Sequence, residues 1–119
     1  MIRFKQRDIV LISFPFTNLS SSKQRPALII SSDKYNASHE DLIIVAITSQ
    51  IPATLSFDEF LIPKVDLTIA GLPKVSIIKL GKIITLHQQL VRKKLGYISQ
   101  DIFSEEVLPL LFDLFSVTS

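Results

Sequence analysis

The sequence predicts a mainly β fold of the α+β class, a small barrel or curled sheet closed by a C-terminal amphipathic helix. Three observations carry this reading. Short apolar or alternating runs of strand length recur through residues 8–85, separated by polar or Gly/Pro-containing breaks. The period then changes, with Phe103, Val107, Leu110, Leu111 and Leu114 at helical spacings. Finally, 119 residues, 47% hydrophobic and 20% charged, suffice for one core, and no repeat, low-complexity stretch or linker divides them. Residues 1–119 therefore read as a single domain.

The elements follow in chain order. Residues 8–14 alternate loosely and are rich in β-branched and apolar side chains, as a half-buried strand requires. Residues 26–30 and 42–47 are short apolar runs of buried-strand length. Residues 58–62, then 75–78 and 81–85, add two or three more strands, with Ile69-Ala70-Gly71-Leu72-Pro73 as a turn before the last of them. In the closing helix Glu105 and Glu106 lie near the start, where the helix dipole favours anions. Pro109 sits inside the helical pattern and is expected to kink it or mark a restart, because proline removes a backbone donor and clashes with the preceding turn. Leu108 and Phe112 fall off the main stripe and broaden the apolar surface.

Composition excludes several classes. With no cysteine, a disulfide scaffold, a cysteine nucleophile and a thiolate metal site are all ruled out. The longest uninterrupted apolar run, residues 42–47, is far below the ~20 residues that span a bilayer. Met1-Ile2-Arg3-Phe4-Lys5 lacks the apolar core of a signal peptide, so a soluble cytoplasmic protein is expected. Thirteen Lys and Arg against eleven Asp and Glu leave a net charge of +2, but the charges are segregated. Residues 74–94 hold Lys74, Lys79, Lys82, Arg92, Lys93 and Lys94 and no carboxylate, whereas residues 99–113 hold four carboxylates and no cation. Such polarity suits attraction of phosphates to one side; a solvated face is the structural alternative.

The informative chemistry lies at two strand ends. The polar run Ser20-Ser21-Ser22-Lys23-Gln24-Arg25 leads straight into Pro26-Ala27-Leu28-Ile29-Ile30, and Ile43-Ile44-Val45-Ala46-Ile47 ends in Thr48-Ser49-Gln50. Pairing these runs as an antiparallel hairpin sets Ile29 opposite Ile44, Ala27 opposite Ala46 and Arg25 opposite Thr48, with Cβ atoms of opposed residues roughly 4.5–5.5 Å apart. The face carrying Leu28, Ile30, Ile43, Val45 and Ile47 is the expected core face. The other keeps small residues beside Arg25 and leaves room for a ligand. Pro26 biases Arg25 to extended backbone. A planar fork of donors beside a hydroxyl is suited to a phosphate.

In order and spacing, three blocks resemble the MazF/PemK toxins of type II toxin–antitoxin systems: Asp8-Ile9-Val10-Leu11-Ile12-Ser13-Phe14-Pro15-Phe16, Arg25-Pro26-Ala27-Leu28-Ile29-Ile30-Ser31 and Val45-Ala46-Ile47-Thr48-Ser49. Ser76-Ile77-Ile78-Lys79-Leu80-Gly81-Lys82-Ile83-Ile84-Thr85-Leu86 and Lys94-Leu95-Gly96 are similar to the family's closing strands and the approach to its last helix. The resemblance implies a small SH3-like β-barrel with a C-terminal helix, a homodimer, and a metal-independent endoribonuclease that needs no cofactor and cuts single-stranded RNA at short sequences. It implies catalytic roles for Arg25 and Thr48 and attack by the substrate's own 2′-hydroxyl, leaving a 2′,3′-cyclic phosphate and a 5′-hydroxyl. It also implies a cognate antitoxin as partner. Arginine is a poor general base, so Arg25 is assigned to transition-state stabilisation first. Ser21, Ser22, Lys23 and Gln24 are expected to form the loop over the RNA, with Ser49 and Gln50 as contacts to phosphate or base edges. The chain departs from the family where Ser20-Ser21-Ser22-Lys23-Gln24 replaces a glycine-rich loop, and where Lys82 and Ile84 stand at positions that carry glutamine and arginine in some members. Lys82 is taken as the replacement RNA contact.

Other candidates are thinner. His39 and His87 lack ligand-spaced neighbours, so no metal site is expected. Gly71, Gly81 and Gly96 form no phosphate-cradling loop. Phe14 is assigned to the core, while Phe16 is left between core and base stacking. Two competing readings remain. One is a protein-binding toxin like the CcdB proteins, acting on DNA gyrase through the end of the chain, residues 110–119. The other is a degenerate member that binds an antitoxin without cutting.

Overall fold

The computed structural model describes residues 4–14 and 23–118, Phe14 by its backbone alone. Six strands, β1 (Asp8–Phe14), β2 (Lys23–Ile29), β3 (Asp41–Thr48), β4 (Glu59–Leu61), β5 (Ile77–His87) and β6 (Val91–Tyr97), form one antiparallel sheet in the order β4-β5-β3-β2-β1-β6. The result is a mainly β fold, an SH3-like barrel left open between β4 and β6.

β1 takes up residues 8–14 as the alternation requires, and the β2–β3 register pairs Ile29 with Ile44 and Ala27 with Ala46. The ladder then stops. Pro26 has no N–H to donate, and Arg25 and Thr48 lie beyond the last pair rather than facing each other within it. A second difference concerns the faces. Leu28, Val45 and Ile47 belong to one core with Ile9, Ile78 and Phe103, as expected. The opposite face is buried too, because Ala27, Ile29 and Ile44 join Val10, Ile12 and Leu86 in a second cluster. The sheet therefore has two apolar sides, and space opens only at its end.

The segments expected as two strands at 75–78 and 81–85 are one strand, β5. Its register with β3 jumps between Ala46–Lys79 and Val45–Ile83, leaving Leu80, Gly81 and Lys82 unpaired on β3. Leu80 N–H donates instead to Asp58 O at 2.9 Å, and the irregularity lets one strand serve two directions. β6, which the charge-rich sequence hides, pairs with β1 through two more irregularities that leave Arg92 and Leu95 unpaired.

Polar residues 32–41 hold a short helix, α1 (Asp33–Ser38), capped by Ser32 Oγ accepting from Tyr35 N–H at 3.1 Å. The expected turn at 69–73 is a single helical turn, α2 (Leu67–Ala70), closed by Gly71 at φ 73°. Gly71 N–H donates to Thr68 O and Leu72 N–H to Leu67 O, a Schellman closure. The C-terminal helix runs through α3 (Gln100–Ile102), a π-helical turn (Phe103–Val107) and α4 (Leu108–Asp113). Pro109 marks the expected restart, standing in the first turn of α4, and the helix widens just before it, Leu108 N–H reaching Phe103 O five residues back. Phe103 and Val107 enter the core, and Leu110, Leu111 and Leu114 pack on its edge. Phe112, Phe115 and Val117 remain 65%, 71% and 97% exposed. Among the described residues, no helix is long and apolar enough to cross a membrane.

Candidate functional site

Where β2 and β3 part company, each keeps its other neighbour. β2 stays on β1 down to the Phe14–Lys23 pair, and β3 stays on β5 to the Thr48–Ile77 pair. The gap is a cleft of about 600 Å³. Lys23, Gln24 and Arg25 line it from one strand end, Thr48, Ser49 and Gln50 from the other. These six expected site residues are thus brought together. Ser21 and Ser22, expected to continue the loop, and Phe16 lie outside the described residues. Lys82 sits exposed in the β5 irregularity and does not line the cleft.

The floor is apolar, with Leu11, Ile47, Leu72 and Leu95. A cross-strand row explains one wall. Pro26 on β2 pairs with Leu11 on β1, and Leu11 with Lys93 on β6, so all three present to one side and all three line the cleft. The opposite wall is the 71–76 segment, which carries Lys74. Two glycines clamp that segment onto β6. A Cβ on Gly71 would stand 2.0 Å from Leu95 O, and one on Gly96 2.1 Å from Ile69 O, so only hydrogen allows the approach. Ser76, buried, donates its hydroxyl to Lys74 O at 2.9 Å and fixes the backbone at the rim.

The Thr48 hydroxyl accepts from Gln50 N–H at 3.1 Å. That bond engages the hydroxyl oxygen as an acceptor, and the hydroxyl keeps its own proton to donate. Arg25 is exposed and makes no ion pair among the described residues. Among the described residues, no Asp, Glu or His lines the cleft. It therefore offers donors and positive charge to an anion, beside an apolar surface for a flat or apolar group.

Lys74 and Lys93 are the site residues missed by reading strand ends. Their signal was the carboxylate-free basic segment, which the structure divides: Lys79 pairs with Glu59 at 3.7 Å, Lys94 with buried Asp8 at 3.2 Å, and Arg92 Nε donates to Ser13 Oγ at 2.8 Å. The histidines lie elsewhere. His39 stacks on Tyr35 and His87 faces Glu40 at 3.3 Å. Among the described residues no three His, Asp or Glu side chains gather as metal ligands would.

A sequence model described as PemK-like, MazF-like toxin of type II toxin-antitoxin system matches residues 5–108. The chain belongs to this PemK/MazF-like toxin family. Solved structures repeat its fold over nearly the whole length. An endoribonuclease in complex with its cognate antitoxin, from a mycobacterial species, is 14% identical with a TM-score of 0.75, covering 98% of each chain. The Mycobacterium tuberculosis toxin MazF-mt6 is 16% identical with a TM-score of 0.74, over 95% of this chain and 100% of that one. A MazE-MazF structure from Deinococcus radiodurans is 18% identical with a TM-score of 0.73, over 99% and 100%. Among curated proteins, nothing matches. At such identities the PemK/MazF-like architecture persists while most of its side chains have changed, so the site has to be read from this chain's own residues.

Proposed function

We propose that this protein is a metal-independent endoribonuclease toxin that cuts single-stranded RNA at short sequences. The observation that carries the reading is the gathering of Arg25 and Thr48, from two strands that have stopped pairing, in a cleft lined, among the described residues, by cations and no carboxylate. Membership of the PemK/MazF-like family supports it, and structures of that fold include one described as an endoribonuclease with its cognate antitoxin.

In the proposed reaction the substrate's 2′-oxygen attacks the adjacent phosphorus. The new 2′-O–P bond forms as the P–O5′ bond breaks, giving a 2′,3′-cyclic phosphate and a 5′-hydroxyl. Negative charge grows on the non-bridging oxygens, where Arg25 supplies a guanidinium and Thr48 a hydroxyl donor. Guanidinium groups stay protonated. The 2′-proton passes to solvent, and water protonates the departing 5′-oxygen.

The protein acts in the cytoplasm as a homodimer, held in check by a cognate antitoxin. The exposed Phe112, Phe115 and Val117 supply apolar contact area for that assembly. Sedimentation at micromolar protein is expected to give twice the protomer mass, and a protomer-sized species alone counts against the dimer. The same side chains favour the gyrase-binding alternative, which requires toxicity to survive Arg25→Ala.

The test incubates purified protein with EDTA and a set of single-stranded RNAs and reads the ends by mass spectrometry. Cyclic-phosphate ends are expected, falling about 10²–10³-fold in rate in Arg25→Ala and Thr48→Ala and absent from 2′-deoxy substrates. No cutting by folded wild type across many sequences overturns the reading.

A further inference from the structure

We propose that Lys74 and Lys93, on facing walls of the cleft, form a second phosphate-holding pair, gripping the RNA backbone at phosphates flanking the one that Arg25 and Thr48 address. The inference rests on the ribonuclease reading above and adds residues to it.

Three features make this pair a built site. Its two cations come from distant parts of the chain: Lys74 lies three residues after Gly71, and Lys93 three before Gly96. The Gly71–Leu95 and Gly96–Ile69 approaches lock those backbones together. Lys74 is further held by the Ser76 hydroxyl, and Lys93 is aimed inward by its pairing with Leu11, itself on the cleft floor. Neither lysine makes an ion pair among the described residues, although Lys79 and Lys94 in the same basic segment both do. A cation already paired must give up its carboxylate to take a phosphate; these two need give up only water.

The chemistry fits the division of labour. Lysine is a flexible point charge that follows a backbone phosphate without dictating its geometry, whereas the planar Arg25 fork suits the phosphate that reacts. Between the two walls lies the apolar floor of Leu72 and Leu95, on which a base can rest while its flanking phosphates reach opposite sides.

The test measures binding of a short single-stranded RNA, 2′-deoxy at the cut position, against salt concentration. Each phosphate neutralised contributes about 0.7 to the slope of log K on log salt for single strands. Lys74→Gln/Lys93→Gln is expected to lower the slope by about 1.4, Lys74→Arg/Lys93→Arg to keep it, and Lys64→Gln, an exposed lysine outside the cleft, to leave it unchanged. Replacing single phosphates beside the cut site by neutral methylphosphonates then locates the contact. Wild type is expected to lose about five- to tenfold in affinity at one or two flanking positions, and the Gln variant, checked as folded by circular dichroism, to lose nothing further there. An unchanged slope in the Gln variant, with binding still sensitive to Arg25→Ala, overturns this proposal and leaves the ribonuclease reading standing. No RNA binding by wild type overturns both.

Discussion

Replacing Gly96 by alanine tests the link between packing and site directly. The added methyl would meet Ile69 O at 2.1 Å, Ala70 C at 2.5 Å and Ala70 O at 2.7 Å, well inside the 3.4 Å at which ordinary contact begins. All three atoms are backbone, so no side chain can swing aside, and β6 and α2 must separate. Forcing one methylene into a packed site costs about 1–3 kcal/mol, against which a stiffer unfolded chain returns about 0.4–1 kcal/mol. A net loss of about 1–2 kcal/mol lowers the melting temperature of a domain this size by about 4–8 °C. Gly81→Ala is the matched control. Its methyl meets only Asp58 Oδ2 at 2.4 Å, the free end of a side chain that can rotate away, so the change stays within about 0.5 kcal/mol. Gly71→Ala is expected to be worse than either, because a contact of 2.0 Å with Leu95 O is joined by φ of +73°, a conformation that costs a residue with a Cβ roughly 1–2 kcal/mol more. Thermal denaturation followed by circular dichroism ranks the three variants. Melting of Gly96→Ala indistinguishable from Gly81→Ala would refute the idea that backbone contact between α2 and β6 sets the wall.

Other expectations are read from single contacts. Thr48→Ser keeps the hydroxyl and is expected to retain most of the cutting rate, whereas Thr48→Val, similar in shape, loses about 10²-fold or more; equal rates from the two would remove the hydroxyl from the mechanism. Because no His, Asp or Glu among the described residues lines the cleft, single-turnover cleavage is expected to rise steadily between about pH 5 and 8 without a bell, and a bell in a stopped-flow or quench profile points to a titrating group from elsewhere. Asp8→Ala removes a buried carboxylate that accepts from Lys5 N–H at 2.9 Å and faces Lys94 at 3.2 Å. Lys94 stays half in water, so urea unfolding is expected to register a loss of about 1–2 kcal/mol, and no loss would make the pair ornamental.

What was legible in the sequence is what local pattern encodes. Alternation gave β1 its bounds, and a constant pairing sum placed Ile29 on Ile44. The C-terminal stripe was readable because helical spacing survives the π turn at Phe103–Val107. α1 was hidden because its six residues carry no buried side chain, leaving only the Ser32 cap as a sign. β6 was hidden because its two irregularities break alternation at Arg92 and Leu95. At the site, Arg25 and Thr48 stood out as polar interruptions of apolar strands. Lys74 and Lys93 did not, since contact between Gly71 and Leu95 joins segments that share no local pattern.

The sorting of the basic segment explains how a chain of net charge +2 presents a strongly positive cleft. Of its cations, Lys79 and Lys94 are answered by Glu59 and Asp8 at the sheet, and Arg92 is turned onto Ser13. Lys74 and Lys93 are left to join Lys23 and Arg25 around one opening. Meanwhile Asp101, Glu105, Glu106 and Asp113 all lie exposed on the closing helix, and none of them lines the cleft. Opposite fields on separate parts of one small surface orient an approaching polyanion before contact, an effect that net charge does not measure. The association rate with RNA is therefore expected to fall steeply with salt in stopped-flow measurements. Charge reversal on the helix, Glu105→Lys/Glu106→Lys, is expected to steepen this dependence, because it adds four positive charges to the field the polyanion meets. A rate indifferent to both salt and helix charge would mean that encounter is governed by shape alone, and that the segregation of charge along the sequence serves the fold rather than the ligand.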